Sequence, residues 1–478
     1  MKKLILISFV LVLAFAACKK DDDSPAQQSQ TSDNTPAVKV TSSDIYSPEE
    51  LSQAIAEGKY LKSYFGDGGN LSNVMTRVCN LITNTRLFYI DTLYAKKEGV
   101  SIFKYQRDWQ IESHTFTYRS VSSTGEPVTL SGRVTFPNSI KGGHQVKSLS
   151  VYTHYIISAD VVPSMELSPI DLRVLFNSAV IQPDMQGFGA ASHLPSCGFS
   201  YATEGRQIYD CVVAALDVMR QNGVELADNG YTTAWGYSVA MPATMAFIRH
   251  YDENITNAER DAIRLKSAYV GGGPMMLDRL LQNLDDDLSF NAALLRYVIP
   301  YMSALPRTML GGYALQDLVP EWMLTTNVTL DGKQYSFFDA KVLSIPGVEA
   351  QRPEQYPTSE LKNHFASDMC TADGHLDYNS GKTKMLLNLF HQLSDWGAWR
   401  PAEDIYITHC NKDNCMPVDQ DRAFYDSKSF SGKLHWKTVS SFLGRLVYSD
   451  DIHSGATLAE TINVVLYEDP ATAFRHNY

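Results

Sequence analysis

Hydrophobic and polar positions follow two different patterns along the chain. Between Trp109 and Pro137 they alternate, which is typical of strands with one exposed face, and Gly125 supplies the turn of a β-hairpin. Further along, short apolar runs are separated by segments of helical spacing such as 205–222 and 242–251. Strands that are apolar throughout are typical of a parallel sheet with both faces covered. The apolar runs are Val146–Tyr155, Ser178–Pro183, Tyr231–Tyr237, Leu265–Gly271 and Ile405–His409.

The order of these elements predicts an α/β fold, with a mainly parallel sheet flanked by helices in one domain at 45–478. The alternation of predicted strands and helices stops between about 274 and 399, where the pattern is mostly helical and rich in Met, Leu and Tyr. This stretch is too long for a connection, so we interpret it as a helical cap inserted over one end of the sheet. Its methionine and aromatic side chains favour a core over a binding surface.

The first residues have the pattern of an exported protein. Lys2 and Lys3 precede the apolar run Leu4–Ala16, which is too short to span a bilayer, so we predict a cleaved signal peptide at 1–17. Cys18 follows small residues, an arrangement that resembles the lipobox of bacterial lipoproteins and implies lipidation of its thiol. The alternative is ordinary secretion with Cys18 unmodified.

A polar segment follows Cys18. Lys19–Lys20 and the acidic run Asp21–Asp23 resemble the surface-export signal of Bacteroidetes lipoproteins, although a solvated charge run in a tether would look the same. Ser24–Ser43 has few large apolar side chains, so 18–44 is predicted to be a flexible tether. The resemblances imply an exported protein that is lipid-anchored to the bacterial outer membrane, at the cell surface.

Charge and cysteine content narrow the partners. A net charge of −12 over 478 residues disfavours nucleic acid. The spacings C-x-x-C and H-E-x-x-H are missing, as are P-loop and dinucleotide fingerprints, so we predict neither a metal nor a cofactor.

Six cysteines remain after Cys18. Cys410 and Cys415 flank Asp413 and could form a disulfide that stiffens its loop, or stay as buried free thiols.

The main chemical signal is the pentapeptide 236–240, Gly-Tyr-Ser-Val-Ala, between a predicted strand and a predicted helix. A nucleophilic serine works best on such a sharp turn, which strains its backbone and requires small neighbours. Gly236 and Ala240 meet that requirement. The pentapeptide alone could arise by chance. Its strand–turn–helix setting favours Ser238 as a nucleophile.

A serine nucleophile needs an acid and a histidine, which follow it in the chain order serine, acid, histidine. Asp413 follows the run 405–409, at the carboxyl end where α/β sheets collect functional groups, and would accept the histidine Nδ1–H. His453 follows the strand-like run 442–448 and would accept the Ser238 proton. The alternatives are an aspartate that closes a turn and a surface histidine. Competing histidines by residue type are His154, His193 and His409.

Several segments resemble those of α/β hydrolases. They are P-D-M-Q-G-F-G at 183–189, W-G-A-W-R-P at 396–401 and D-x-x-M-P at 413–417. From about Trp109 onward the chain is similar to bacterial secreted lipase/esterase-like and prolyl-oligopeptidase-like members. The resemblance implies that Ser238, Asp413 and His453 form the catalytic triad, and that the N–H groups of Val239 and Tyr155 form an oxyanion hole.

Two departures from relatives concern activity. Relatives often read G-Y-S-Q-G-G at the serine, whereas Val239, Ala240 and Met241 stand here, and Met241 adds bulk beside the turn. The usual H-G-G is also replaced, by His154-Tyr155-Ile156.

We predict a serine hydrolase that cleaves a small carboxylic ester, such as an acylated lipid or glycan. The alternatives are a prolyl-oligopeptidase-like peptidase and an inactive hydrolase fold that binds a ligand at the cell surface.

Overall fold

The structure is a computed structural model, and the predicted signal peptide (1–17), Cys18 and Tyr155 lie outside the residues it describes. Within the described ranges no helix is long and apolar enough to cross a bilayer. The described residues are 38–47, 50, 109–154, 172–330, 332–339, 351–357, 359–413, 415–439, 453 and 469–475.

Nine strands of the described ranges form one sheet, in the order β1-β2-β3-β5-β4-β6-β7-β10-β11. The first three pair antiparallel, as does β3 with β5, and the six strands from β5 to β11 pair parallel to one another. The mainly parallel sheet is therefore confirmed. The strands are β1 Val38–Tyr46, β2 Trp109–Val121, β3 Pro127–Ser139, β4 His144–Tyr152, β5 Ser178–Pro183, β6 Val224–Tyr237, β7 Leu265–Gly271, β10 Asp404–Cys410 and β11 Leu434–Val439.

Helices cover both faces of this sheet. In β6, Ala234 packs in the same apolar cluster as Ile208 and Met245 of the helices α1 and α2, while its neighbour Trp235 packs with Ala473 of α9. Successive side chains of a strand point to opposite faces, so the two clusters lie on opposite sides. The helices are α1 Tyr201–Gln221, α2 Ala240–Asn254, α3 Asn257–Ile263, α4 Leu277–Asp286, α5 Leu295–Tyr301, α6 Glu321–Thr325, α7 Gly381–Ser394, α8 Val418–Lys428 and α9 Pro470–Arg475.

The insertion between β7 and β10 contains α4 to α7 and has an apolar core of its own. That core includes Phe188, Val239 and Met416, which lie in the loops after β5, β6 and β10. The cap therefore packs on the carboxyl end of the sheet. It also holds an element that the pattern did not predict, the two-stranded antiparallel sheet of β8 (Asn327–Leu330) and β9 (Lys333–Ser336).

The folded domain starts earlier than predicted, which corrects the tether boundary at residue 44. Residues Val38–Tyr46 pair with β2 over most of their length, at the edge of the sheet. Most of their side chains are exposed, so the segment is stabilised by backbone hydrogen bonds more than by apolar burial. Its polar composition therefore resembled that of a tether. The rest of the predicted tether, 18–37, lies outside the described residues.

Candidate active site

Ser238 lies on a sharp turn between β6 and α2. Its φ is +59°, a left-handed conformation that costs a residue with a side chain energy and is typical of strained functional turns. A Cβ on Gly236 would collide with the Thr244 hydroxyl and with the Ala240 carbonyl oxygen. The Ser238 N–H donates to the Gly271 carbonyl at the end of β7, at 3.0 Å. The turn is therefore held by close packing and by the neighbouring strand.

Met241, the bulky departure from relatives, is accommodated at this turn. Its side chain is fully buried in the sheet core. A Cβ on Gly273 would collide with the Met241 Cβ and with the Ser238 carbonyl oxygen. The absence of a side chain at residue 273 thus leaves the space that Met241 uses, and the serine turn keeps its shape.

The structure brings together the three side chains predicted from chain order. His453 Nε2 lies 3.0 Å from Ser238 Oγ, and His453 Nδ1 lies 2.6 Å from Asp413 Oδ2. All three residues are buried, with 6%, 7% and 6% of Ser238, His453 and Asp413 exposed. In such a chain the imidazole can accept the hydroxyl proton while the carboxylate orients the ring and stabilises imidazolium.

The Asp413 carboxylate is held from both sides. Its Oδ1 accepts the backbone N–H groups of Cys415 at 3.0 Å and Met416 at 2.7 Å. Burial alone would raise the pKa of Asp413, but the charges of His453 and His409 and the hydrogen bonds from His453 and from the Met416 N–H lower it below its ordinary value. The acid is therefore ionised and fixed in direction.

Of the two alternatives for Cys410 and Cys415, a disulfide or buried thiols, the structure shows the second for Cys410, whose thiol is free. Cys410 is fully buried at the end of β10, where it packs with Tyr237. The loop gains its rigidity from the Asp413 carboxylate, which receives two backbone hydrogen bonds. The stiffening that a sulfur bridge would have supplied thus comes from the acid itself.

Val239 stands at the N-cap of α2, directly after Ser238. The first N–H groups of a helix have no acceptor within it and carry the positive end of its dipole, which suits a developing oxyanion. Donation by the Val239 N–H stays a prediction. Tyr155, the other predicted donor, lies outside the described residues, as does the strand-like run 442–448.

A second histidine–aspartate pair adjoins the first, and sequence reasoning did not predict it. His409, at the end of β10, has its Nδ1 2.8 Å from Asp421 Oδ2 and its Nε2 2.9 Å from the Met416 carbonyl oxygen. The same Nε2 lies 3.7 Å from Asp413 Oδ2. A histidine in an otherwise apolar strand was the available signal, because such a side chain needs a polar partner once it is buried. Of the other competitors, His154 contacts the Phe188 ring and His193 is exposed.

Comparisons with solved structures show the α/β-hydrolase fold. The chain is similar to a ligand-bound form of the rice cell wall degrading esterase LipA from Xanthomonas oryzae, at 14% sequence identity and a TM-score of 0.55, over 90% of this chain and 96% of that one. It is also similar to a candidate hydrolase from Legionella pneumophila, at 14% identity and a TM-score of 0.52, over 77% and 91%. No family model and no curated protein matches the sequence.

Proposed function

We propose that this protein is an extracytoplasmic serine hydrolase that cleaves carboxylic esters through an acyl-enzyme on Ser238. The observation that carries the proposal is the hydrogen-bond chain from Ser238 Oγ through His453 to Asp413, at 3.0 Å and 2.6 Å. The proposed nucleophile, Ser238, occupies the strained strand-to-helix turn on which α/β hydrolases present their serine.

The proposed reaction has two acyl-transfer steps. Ser238 Oγ attacks the ester carbonyl carbon as its proton passes to His453 Nε2, and imidazolium then protonates the leaving alcohol. The N–H of Val239 stabilises the oxyanion. Water then attacks the acyl-enzyme, gives its proton to His453 and releases the acid, and Ser238 regains its proton. Asp413 stays ionised and stabilises His453 imidazolium throughout.

The substrate that we propose is an acylated lipid or glycan. The cap core includes Val239 of the serine turn and Met416 of the acid loop, so apolar side chains adjoin both segments that carry the proposed catalytic residues. Apolar walls with a few polar groups are typical of sites for acyl groups. The similar esterase from Xanthomonas oryzae is described as degrading rice cell walls, which makes glycan esters the first natural substrates to test.

The proposed place of action is outside the cytoplasm, at the membrane. The support is the sequence of residues 1–23, with its signal-peptide pattern, Cys18 after small residues, and the Lys-then-acidic run. Lipidation of Cys18 would anchor the hydrolase to the bacterial outer membrane. Metabolic labelling with an alkyne fatty acid should mark the wild-type protein and leave Cys18→Ala unmarked.

Two substrate classes separate this function from the alternatives. We expect turnover of short p-nitrophenyl esters that is lost in Ser238→Ala, and no turnover of proline-containing p-nitroanilides. Cleavage of the anilides in preference to the esters would identify a peptidase instead. Turnover of neither class, by a protein that melts cooperatively, would favour a binding protein and contradict the proposal.

A further inference from the structure

The acid of the proposed triad lies between two imidazole rings. Asp413 Oδ2 is 2.6 Å from His453 Nδ1 on one side and 3.7 Å from His409 Nε2 on the other. The side chains of His409, Asp413 and Asp421 are fully buried. Charges as close as these influence one another strongly when they are fully buried, so the protonation of His409 matters for Asp413.

The hydrogen bonds of His409 determine how many protons the group holds. The Met416 carbonyl oxygen, 2.9 Å from Nε2, can only accept, so Nε2 must carry a hydrogen. Nδ1 faces Asp421 Oδ2 at 2.8 Å, a distance that requires a second hydrogen between them. His409 and Asp421 thus share one proton beyond a neutral imidazole and a carboxylate. Burial opposes a charge on His409, yet Asp421 and Asp413 together raise its pKa to about 9.

The groups that face His409 come from three elements. Asp413 and the Met416 carbonyl belong to the loop after β10, Asp421 belongs to α8, and the uncharged Trp436 ring of β11 stacks with the imidazole at 6.5 Å. Among the described residues, these contacts thus place two charged groups beside His409, and both are carboxylates. They favour the imidazolium form.

The second pair is also tied to the serine turn. Asp421 Oδ1 accepts a hydrogen bond from the Gln420 amide at 2.6 Å, and the same amide donates to the Gly273 carbonyl. Gly273 packs against Ser238 and Met241. A continuous set of contacts therefore runs from the acid loop through α8 to the segment that supports the nucleophile.

We propose that His409 and Asp421 are positioning residues, which place a fixed imidazolium behind Asp413 and so keep the acid ionised and directed at His453. The proposal rests on the proposed hydrolase function. His409 gives up no proton in the reaction, since its Nε2–H is held by a carbonyl. Its positive charge weakens the pull of Asp413 on the His453 proton, and so sets the pH at which His453 becomes a base.

The test compares His409→Gln with wild type in the pH dependence of kcat/KM for p-nitrophenyl acetate. Glutamine can still donate to the Met416 carbonyl but carries no charge. We expect the rising limb of the profile to move to higher pH by about one unit, because protonated His453 is better stabilised. His435→Gln is the matched control: it removes a histidine 3.0 Å from Asp404 on the sheet edge and should leave the profile unchanged.

A purely structural role would lower kcat/KM equally at every pH, and that result overturns the proposal. If His409→Gln does not fold, Asp421→Asn is the second variant. It weakens the hold on the His409 proton and should move the limb in the same direction by a smaller amount. An unmoved limb in a folded Asp421→Asn also overturns the proposal.

A measurement without substrate separates this inference from the hydrolase function. In protein labelled with ¹⁵N-histidine, both His409 ring nitrogens should stay protonated from pH 6 to pH 8. Titration of His409 to the neutral form below pH 7 would overturn the positioning role, even if esters are cleaved. Inactive wild-type protein with a permanently protonated His409 would instead contradict only the hydrolase proposal.

Discussion

Two histidine–aspartate pairs lie side by side near the end of β10, and their third partners differ. His453 Nε2 faces the Ser238 hydroxyl at 3.0 Å, whereas His409 Nε2 faces the Met416 carbonyl oxygen at 2.9 Å. A hydroxyl can give its proton to the ring, and a carbonyl cannot. In the proposed mechanism the same two residue types therefore provide a base in one pair and a fixed cation in the other. The partner of Nε2 distinguishes a histidine that can transfer a proton from one whose proton is held in place.

The solvent exposure of the two histidine side chains also differs, in a way that matches these two roles. The side chain of His453 retains 9% of its exposure, while that of His409 has 0%. Water must reach the imidazole that activates it during deacylation. A ring enclosed on all sides cannot do this, but it can hold a charge in place. Changes to either pair should therefore have different consequences.

The largest expected effect comes from the acid that both rings share. Asp413→Asn should lower kcat by about 10⁴-fold, because an amide does not stabilise imidazolium and favours the wrong tautomer of His453. Steady-state kinetics on p-nitrophenyl esters measures this loss. The melting temperature reports whether the fold survives. A folded Asp413→Asn variant with wild-type kcat would contradict the assignment of the acid.

Gly273 contacts the serine turn on one side and accepts a hydrogen bond from Gln420, the neighbour of Asp421, on the other, so an added methyl group should disturb the turn. The Cβ of Gly273→Ala would press on Met241 and on the Ser238 carbonyl, which displaces the nucleophile. We expect kcat to fall on the order of 100-fold, since small misplacements of a reacting group are costly. Gly381→Ala at the start of α7 is the control, where the nearest atom is 3.4 Å from the new Cβ. Equal activity of both variants would show that the contact is harmless.

Loss of His409 should lower the stability of the fold more than loss of His453 does, which is the opposite order from their effects on activity. His409→Ala leaves Asp421 as a buried charge without its cation and should lower the free energy of unfolding by about 3 kcal/mol. His453→Ala should cost less than about 1 kcal/mol, because two backbone N–H groups still bind Asp413. Urea denaturation of both variants measures the difference. A larger cost for His453→Ala would reverse our reading of the two pairs.

A third buried carboxyl, Glu204 in α1, sharpens the comparison because burial dominates its ionisation. Burial raises its pKa to about 8, opposed by a hydrogen bond from the Phe199 backbone. The folded protein thus holds a proton that the unfolded chain releases near pH 4.5. The contribution of protonated Glu204 to the free energy of unfolding is therefore complete below pH 4.5, and it is lost as the pH rises through 8.

Glu204→Gln should remove that pH dependence and raise stability at pH 9, by on the order of 2 kcal/mol relative to wild type. At pH 4 the two proteins should be nearly equal. Thermal melting at both pH values makes the comparison. A variant that is less stable than wild type at pH 9 would show that the carboxylate is satisfied in the fold.

Apolar runs predicted the central strands well, since buried strands carry an uninterrupted signal. The predicted bounds of β5 and β7 agree with the structure. The edge strands β1 and β11 were missed, because an edge strand is held by backbone pairing and its side chains are partly exposed. The two short strands of the cap were missed for the same reason of weak burial.

The three proposed catalytic residues could be found from chain order, because the strand–turn–helix at Ser238 and the loop after β10 have local signals. The second pair could not. His409 and Asp421 are brought together by the packing of α8 on β10, which no short pattern encodes. The choice between a disulfide and a free thiol at Cys410 could not be made from the sequence either, because sequence proximity does not reveal which group closes a loop.

The most direct test of the account is the reaction of the protein with a fluorophosphonate probe, followed by mass spectrometry of its peptides. We predict a single adduct on Ser238, which forms at least 10³-fold more slowly in His453→Ala because the hydroxyl is no longer activated. His435→Gln should react at the wild-type rate. Labelling of another residue, or a Ser238 that reacts equally fast without His453, would contradict the central claim.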